Sequence, residues 1–388
     1  MEMAEIVRLY GPAYREAHAL PNRMHKVMNA IVQCRTPGLG GRLDRCDRCG
    51  HERPFYNSCR NRHCPKCGTL SRERWIKARK KQVLPVVYFH SVFTLPDTLN
   101  PIVLVNQRVL YDILFRAGSE TLLELGRDPK HLGAEIGVIA TLHTWGQNLM
   151  DHPHLHCIVT GGGLSEDGRR WIQPKKTRNG ADFFVHVNVL SDLFKKKFLA
   201  YLNEAFDAGS LTFCGKTAHL GSKTAFYRFK NELYERKWVT YCKEPFSGVE
   251  NVLEYLGRYI HRVAISNRRI LRLEDGRVTF KWRDYRDERE RQMTLNVFEF
   301  MRRFLLHVLP EGYFKVRYYG IFSSRNRKIK LMRCMQILSV SLLEEKTFSD
   351  WRELFFDMTG IDLSICPSCK IGRMVTIPIL RCTNHSPP

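Results

Sequence analysis

The stretch CDRCGHERPFYNSCRNRHCPKC constrains the fold more than any other in this chain, because it holds two CxxC pairs, Cys46 with Cys49 and Cys64 with Cys67. Each pair can form a knuckle that offers two thiolates to one ion, and four thiolates at tetrahedral corners make a structural Zn²⁺ site. Gly50 and Gly68 follow the knuckles, where a tight turn calls for φ > 0. A segment of this kind folds around its metal, so we expect Cys46, Cys49, Cys64 and Cys67 to hold one zinc in an N-terminal domain over residues 1–82. Cys34, His51, Cys59 and His63 are left over, enough for a second ion or for alternative ligation, and spacing does not choose between these. Further on, Cys366 and Cys369 form another CxxC, with Cys382 and His385 downstream, and read as a second knuckle in a tail over 346–388.

The metal reading depends on a reducing compartment. The N-terminus MEMAEIVRLYGP carries acids where a signal peptide has a basic start, and no apolar run reaches the roughly 18 residues of a membrane span. A cytoplasmic, nucleoid-associated location with no membrane partner is therefore expected, and the 13 cysteines are ligands or reduced thiols rather than disulfides. The net charge of +23 exceeds what solubility asks for and points to a polyanion, nucleic acid first. Between Arg35 and Lys81, 14 Lys and Arg stand against 4 Asp and Glu, so the zinc segment and the basic helix expected at SRERWIKARKK carry much of that surplus. Phosphate contacts suit such a helix.

Beyond Lys81 the composition turns to alternating apolar segments. VVYFHSVFTLP (86 to 96), EIGVIATLHTW (135 to 145) and HLHCIVT (154 to 160) read as strands, and the helix SDLFKKKFLAYLNEAF starts at a plausible N-cap, Ser191. Its Phe194, Phe198, Leu202 and Phe206 form one core stripe. The mixture predicts an α+β fold, an antiparallel sheet with helices on a face. In a strand, His154 and His156 share a face about 6.6 Å apart, a good chelate, while Leu155 points into the core. His152 lies roughly 13 Å from His156 in a regular strand and is a weak third ligand unless Pro153 bends the chain; Gln147, Asp151 or a residue of the next helix are alternatives.

That next helix is SGVENVLEYLGRYIHRVAISN (247 to 267), opened by the capping-box pair Ser247 and Glu250. Val249, Val252, Leu253, Leu256 and Ile260 form its buried stripe. At about 100° per residue, Tyr255 and Tyr259 fall together on a flank, with Arg258 and Arg262 further round, where guanidinium groups suit phosphate. Near residue 320, FKVRYYGIFSSRNRKIK interleaves Tyr318, Tyr319 and Phe322 with Arg317, Arg325 and Arg327, a composition that fits stacked bases on a basic track.

In order, the motifs CRTPGLGG, CDRCG, SCRNRHCPKC, VFTLP, HPHLHC, KEPFSG, YLGRYIHR, RVAISNRRI and FMRRFLLHVLPEGYFKVRYYG resemble the HUH transposases of rolling-circle insertion sequences, the two-tyrosine kind with an N-terminal zinc domain. The likeness runs from about residue 34 to 325. It implies an HUH-endonuclease-like sheet over 83–270 with the histidine pair on a central strand, His154 and His156 on a catalytic Mg²⁺ or Mn²⁺, Tyr255 and Tyr259 as nucleophiles, and single-stranded DNA at element termini as substrate. Arg258, Arg262 and Arg317 would contact that DNA. Residues 271–345 would form a basic C-terminal part of the core. Ile260 stands where the family often has Thr, a change that bears on packing. A replication initiator or relaxase would use the same chemistry, and a non-catalytic zinc-dependent DNA-binding regulator would keep these residues for structure alone.

Overall fold

The chain divides into two units whose segments interleave: residues 1–74, 263–308 and 343–388 make the first, and 75–262 with 309–342 the second. The computed structural model describes residues 1–80, 82–180, 182–246, 251–252, 257, 263–284, 287–340, 348 and 350–379, with the backbone alone of 183, 243–246 and 378–379. The division departs from the four consecutive parts expected from sequence. Segment 271–345 is shared between the units, and the tail from 346 falls in the same unit as the N-terminal cysteine segment.

The first unit opens with α1 (Met3–Ala17) and α2 (Asn22–Gln33), which bury Ile6, Val7, Val27, Met28 and Ile31. β1 (Gly41–Cys46) is the middle strand of a three-stranded antiparallel sheet, between β2 (Glu52–Tyr56) and a strand from the far end of the chain, Met374–Ile379. Pro54 sits in the edge strand β2, where a missing N–H costs little. Asp44 is buried in β1, and its carboxylate accepts from Arg42 Nε at 3.1 Å and Thr376 Oγ1 at 2.8 Å, so β1 is joined to the distal strand by side chains as well as backbone. A carboxylate at this depth persists only because it is paired. A second antiparallel sheet, Ile270–Glu274, Arg277–Arg283 and Glu290–Asn296, leads into the helix Val297–Leu306.

α3 (Thr69–Lys80) carries the chain into the second unit. There β3 (Tyr88–Thr94), α4 (Asn100–Val105), α5 (Gln107–Arg127), β4 (Gly137–Trp145), β5 (Asp151–Thr160), α6 (Val187–Asp207) and α7 (Lys223–Glu235) follow in order. The sheet is antiparallel throughout, with β3 and β4 flanking β5 and the strands Thr240–Phe246 and Val316–Gly320 at its edges, so β5 is central. This is the expected α+β architecture.

Period-two alternation gives the sheet two different faces. Leu155, Cys157 and Val159 of β5, with Phe89, Phe93, Val138, Ala140 and Leu142 beside them, form a buried cluster with side chains of α5 and α6. Gly118 allows the close approach of α5, since a Cβ there would stand 3.1 Å from Leu155 and 3.2 Å from Phe93. α6 starts earlier than expected. Its N-cap is His186, which accepts from the Asn188 N–H, because the Ser191 hydroxyl instead donates to the Trp238 carbonyl. Phe194, Phe198 and Leu202 are buried as the stripe requires, and Phe206 is partly so. Among the described residues no helix is long and apolar enough to cross a membrane.

Candidate metal centre

The sheet face away from α5 and α6 carries the histidines. Register places His143 of β4 opposite His154 of β5, and Thr141 opposite His156, so three imidazoles converge with ligand nitrogens all within 4.8 Å of one another. His143 is 2% exposed and His154 9%, buried depths at which an imidazole needs partners. The Nε2 atoms of His154 and His156 are 3.1 Å apart, and His143 stacks on Trp145 with ring centroids 4.9 Å apart.

Backbone and side-chain partners hold the other ring nitrogens. His154 Nδ1 lies 2.5 Å from the His152 carbonyl, which accepts from it and leaves Nε2 as the nitrogen that could hold an ion. His156 Nδ1 is 3.0 Å from Nε2 of the buried His90 on β3, the two rings stacked at 5.2 Å. Hydrogen bonds of this kind from the remote nitrogen are how ligating histidines are oriented. A set of three imidazoles suits a divalent first-row ion such as Mn²⁺. His152 itself is exposed and stands outside the trio, as regular strand spacing requires; among the described residues the third imidazole of the group is His143, Asp151 is not part of it, and most of the next helix lies outside the described residues.

His143 and His90 were not read as site residues from sequence. The available signal was the short connection Gly146–Met150: a hairpin that tight sets the end of β4 against the start of β5, and so His143 against His154.

The cysteines assemble differently from the expected quartet. Cys64 and Cys67 join Cys34 and Cys59, whereas Cys46 and Cys49 join Cys366 and Cys369, each group within 4.8 Å. The expected set Cys46, Cys49, Cys64 and Cys67 is thus parted between two groups. The physical reason is topological: β1 pairs with Met374–Ile379, and this delivers the distal CxxC to the first knuckle. In the first group Cys59 and Cys67 are 3.6 Å apart, and Cys34, at the end of α2, and Cys64 are fully buried. In the second, backbone N–H groups of Gly372 and Ile371 bring the Cys369 thiol down to about 6. Cys382 and His385 lie outside the described residues.

Arg317 projects to the helix side of the sheet, opposite Ala140, where its guanidinium pairs with Asp112 and lies 4.2 Å from the Phe115 ring centroid. Tyr319 packs into the helix-side cluster, and Tyr318 and Phe322 into the cluster on the histidine side, so this aromatic set serves the core more than an exposed track. Tyr255, Arg258, Tyr259 and Arg262 lie outside the described residues. Val252, three positions before Tyr255, is fully buried with Ile139 and Ile158, which share the face of His143, His154 and His156.

Residues 137–329 match the family model described as "Putative transposase", and residues 6–95 the "Transposase zinc-binding domain". The chain is similar to "Putative transposase y4qJ" of Sinorhizobium fredii, 48% identical over 383 residues, 97% of this chain and 95% of that protein. It is also similar to the "Transposase for insertion sequence element IS801" of Pseudomonas savastanoi pv. phaseolicola, 27% identical over 307 residues, 77% of this chain and 70% of that one. No solved structure matches.

Proposed function

The chain belongs to the family of transposases with a transposase zinc-binding domain, and from that premise we propose that it cuts and rejoins single-stranded DNA at the ends of its own element through a 5′-phosphotyrosine. The observation that carries this reading is the trio His143, His154 and His156 on adjacent central strands, whose face also carries Ile139 and Ile158, the residues with which Val252 is buried.

His152 and His90 fix the two β5 imidazoles from behind, so the nitrogens of His154 and His156 that face the site are oriented before substrate arrives. When bound there, a Mg²⁺ or Mn²⁺ ion supplies Lewis-acid polarisation of the scissile phosphate. The oxygen of Tyr255 or Tyr259 bonds to phosphorus as the P–O3′ bond breaks; the phenolic proton is released and the departing 3′ oxygen takes one up. Arg258 and Arg262 favour the phenolate, which is otherwise scarce because an ordinary tyrosine hydroxyl ionises only near pH ~10. Because the phosphodiester energy is kept in the tyrosyl ester, a 3′-hydroxyl on another strand reverses the step without ATP.

The test is formation of a covalent adduct between the full chain and a labelled terminal oligonucleotide, with and without Mn²⁺. Wild type forms it only with the ion, and His154→Ala and His143→Ala lose it. Adduct formed equally by His154→Ala would overturn the assignment.

A further inference from the structure

We propose that Cys46, Cys49, Cys366 and Cys369 form a second zinc site, a clasp in which the distal tail supplies half of the ligands and closes the N-terminal zinc domain. Four sulfurs around one zinc at about 2.3 Å stand about 3.8 Å apart along the edges of a tetrahedron. Here Cys46 Sγ and Cys369 Sγ are 3.7 Å apart and Cys49 Sγ and Cys366 Sγ 3.6 Å, far beyond the roughly 2 Å of a disulfide.

The backbone around the sulfurs is built for thiolates. The N–H groups of Arg48 and Cys49 donate to Cys46 Sγ at 3.4 and 3.5 Å, and the N–H of Gly372 donates to Cys369 Sγ at 3.3 Å. The two knuckles turn alike: Gly50 after Cys49 has φ of 70° and Lys370 after Cys369 has φ of 58°. Gly372 is sterically required, since a Cβ there would stand 2.4 Å from Cys46 Sγ. Next to it, the Arg373 N–H donates to Asp47 Oδ1 at 2.8 Å and the Asp47 N–H to the Arg373 carbonyl at 3.0 Å. From there the paired strands run in register from Cys46 with Met374 to Gly41 with Ile379.

Two consequences follow. The chain holds two thiolate-bound zinc ions rather than one, and segment 366–379 is part of the fold of the first unit. The clasp stands apart from the strand-transfer chemistry, because none of its ligands is used there.

Cobalt(II) substitution of the full chain tests it, because thiolate-to-cobalt charge-transfer absorption reports sulfur sites and not the histidine trio. Cys366→Ser/Cys369→Ser is expected to halve the wild-type band, Cys34→Ser/Cys59→Ser to halve it as well, and Cys382→Ser/His385→Ala to leave it whole. An undiminished band in Cys366→Ser/Cys369→Ser, or a halved one in Cys382→Ser/His385→Ala, would overturn the clasp. Should the serine variants fail to fold, native mass spectrometry of His154→Ala in ammonium acetate decides instead. Two zinc ions per chain are expected, and one would refute the proposal.

Discussion

Replacing His90 with Phe isolates the contribution of a residue that stands behind His156 and outside the clustered trio. The substitution keeps an aromatic ring of similar size against His156, whose ring stacks on His90 at 13° between planes, and it removes one hydrogen-bond partner. When Nε2 of His156 serves an ion, its Nδ1 carries the proton and donates across 3.0 Å to His90 Nε2. Without that acceptor the N–H is left in a site where His90 itself is 5% exposed, at a cost of about 1–3 kcal/mol. The cost falls on the tautomer that binds the ion, so Mn²⁺ affinity should drop by about 10- to 100-fold, about 1.4–2.7 kcal/mol. His90→Gln restores an acceptor and should recover part of the loss. The assay is titration of the full chain with Mn²⁺, reading free ion by electron paramagnetic resonance. Equal affinities for wild type and His90→Phe would refute the reasoning, as would a His90→Gln variant no better than His90→Phe.

On the proposed assignment His143→Ala removes a ligand rather than its support, so it should weaken Mn²⁺ binding more than His90→Phe in the same titration. Leu155→Ala, on the face opposite the histidines and fully buried, should destabilise the second unit by about 2–5 kcal/mol as measured by denaturant unfolding. Binding to single-stranded DNA should weaken steeply with salt, log affinity falling by about 0.7 per phosphate contact for each tenfold rise, and a nearly flat plot of affinity against salt would contradict phosphate-led binding.

What the sequence disclosed and what it withheld divide along contact range. The HxH pair, the flanking strands and the apolar stripe of α6 are set by periods of two and 3.6, which a local window contains. His143 and His90 reach the site through strand pairing, and pairing register is a non-local property. The cysteines illustrate the same limit: a CxxC identifies a knuckle, but its partner knuckle is chosen by the sheet, and here the strand Met374–Ile379 brings Cys366 and Cys369 to Cys46 and Cys49 across more than three hundred residues. Ser191 failed as a helix start because a tertiary acceptor, the Trp238 carbonyl, took its hydroxyl. Arg317 fitted a basic track by composition, and only the alternation of its strand turns it towards Asp112.

Strand transfer through a 5′-phosphotyrosine is tested most directly by the polarity and origin of the covalent bond to DNA. An oligonucleotide labelled at its 5′ end in one reaction and at its 3′ end in another, incubated with the full chain and Mn²⁺ and resolved on a denaturing gel, measures both. The 3′-labelled fragment is expected to migrate with the protein while the 5′-labelled fragment is released with a free 3′-hydroxyl. Tyr255→Phe and Tyr259→Phe should each retain some adduct and the double variant none. Protein carrying the 5′-labelled fragment, or adduct persisting in the double variant, would contradict this chemistry.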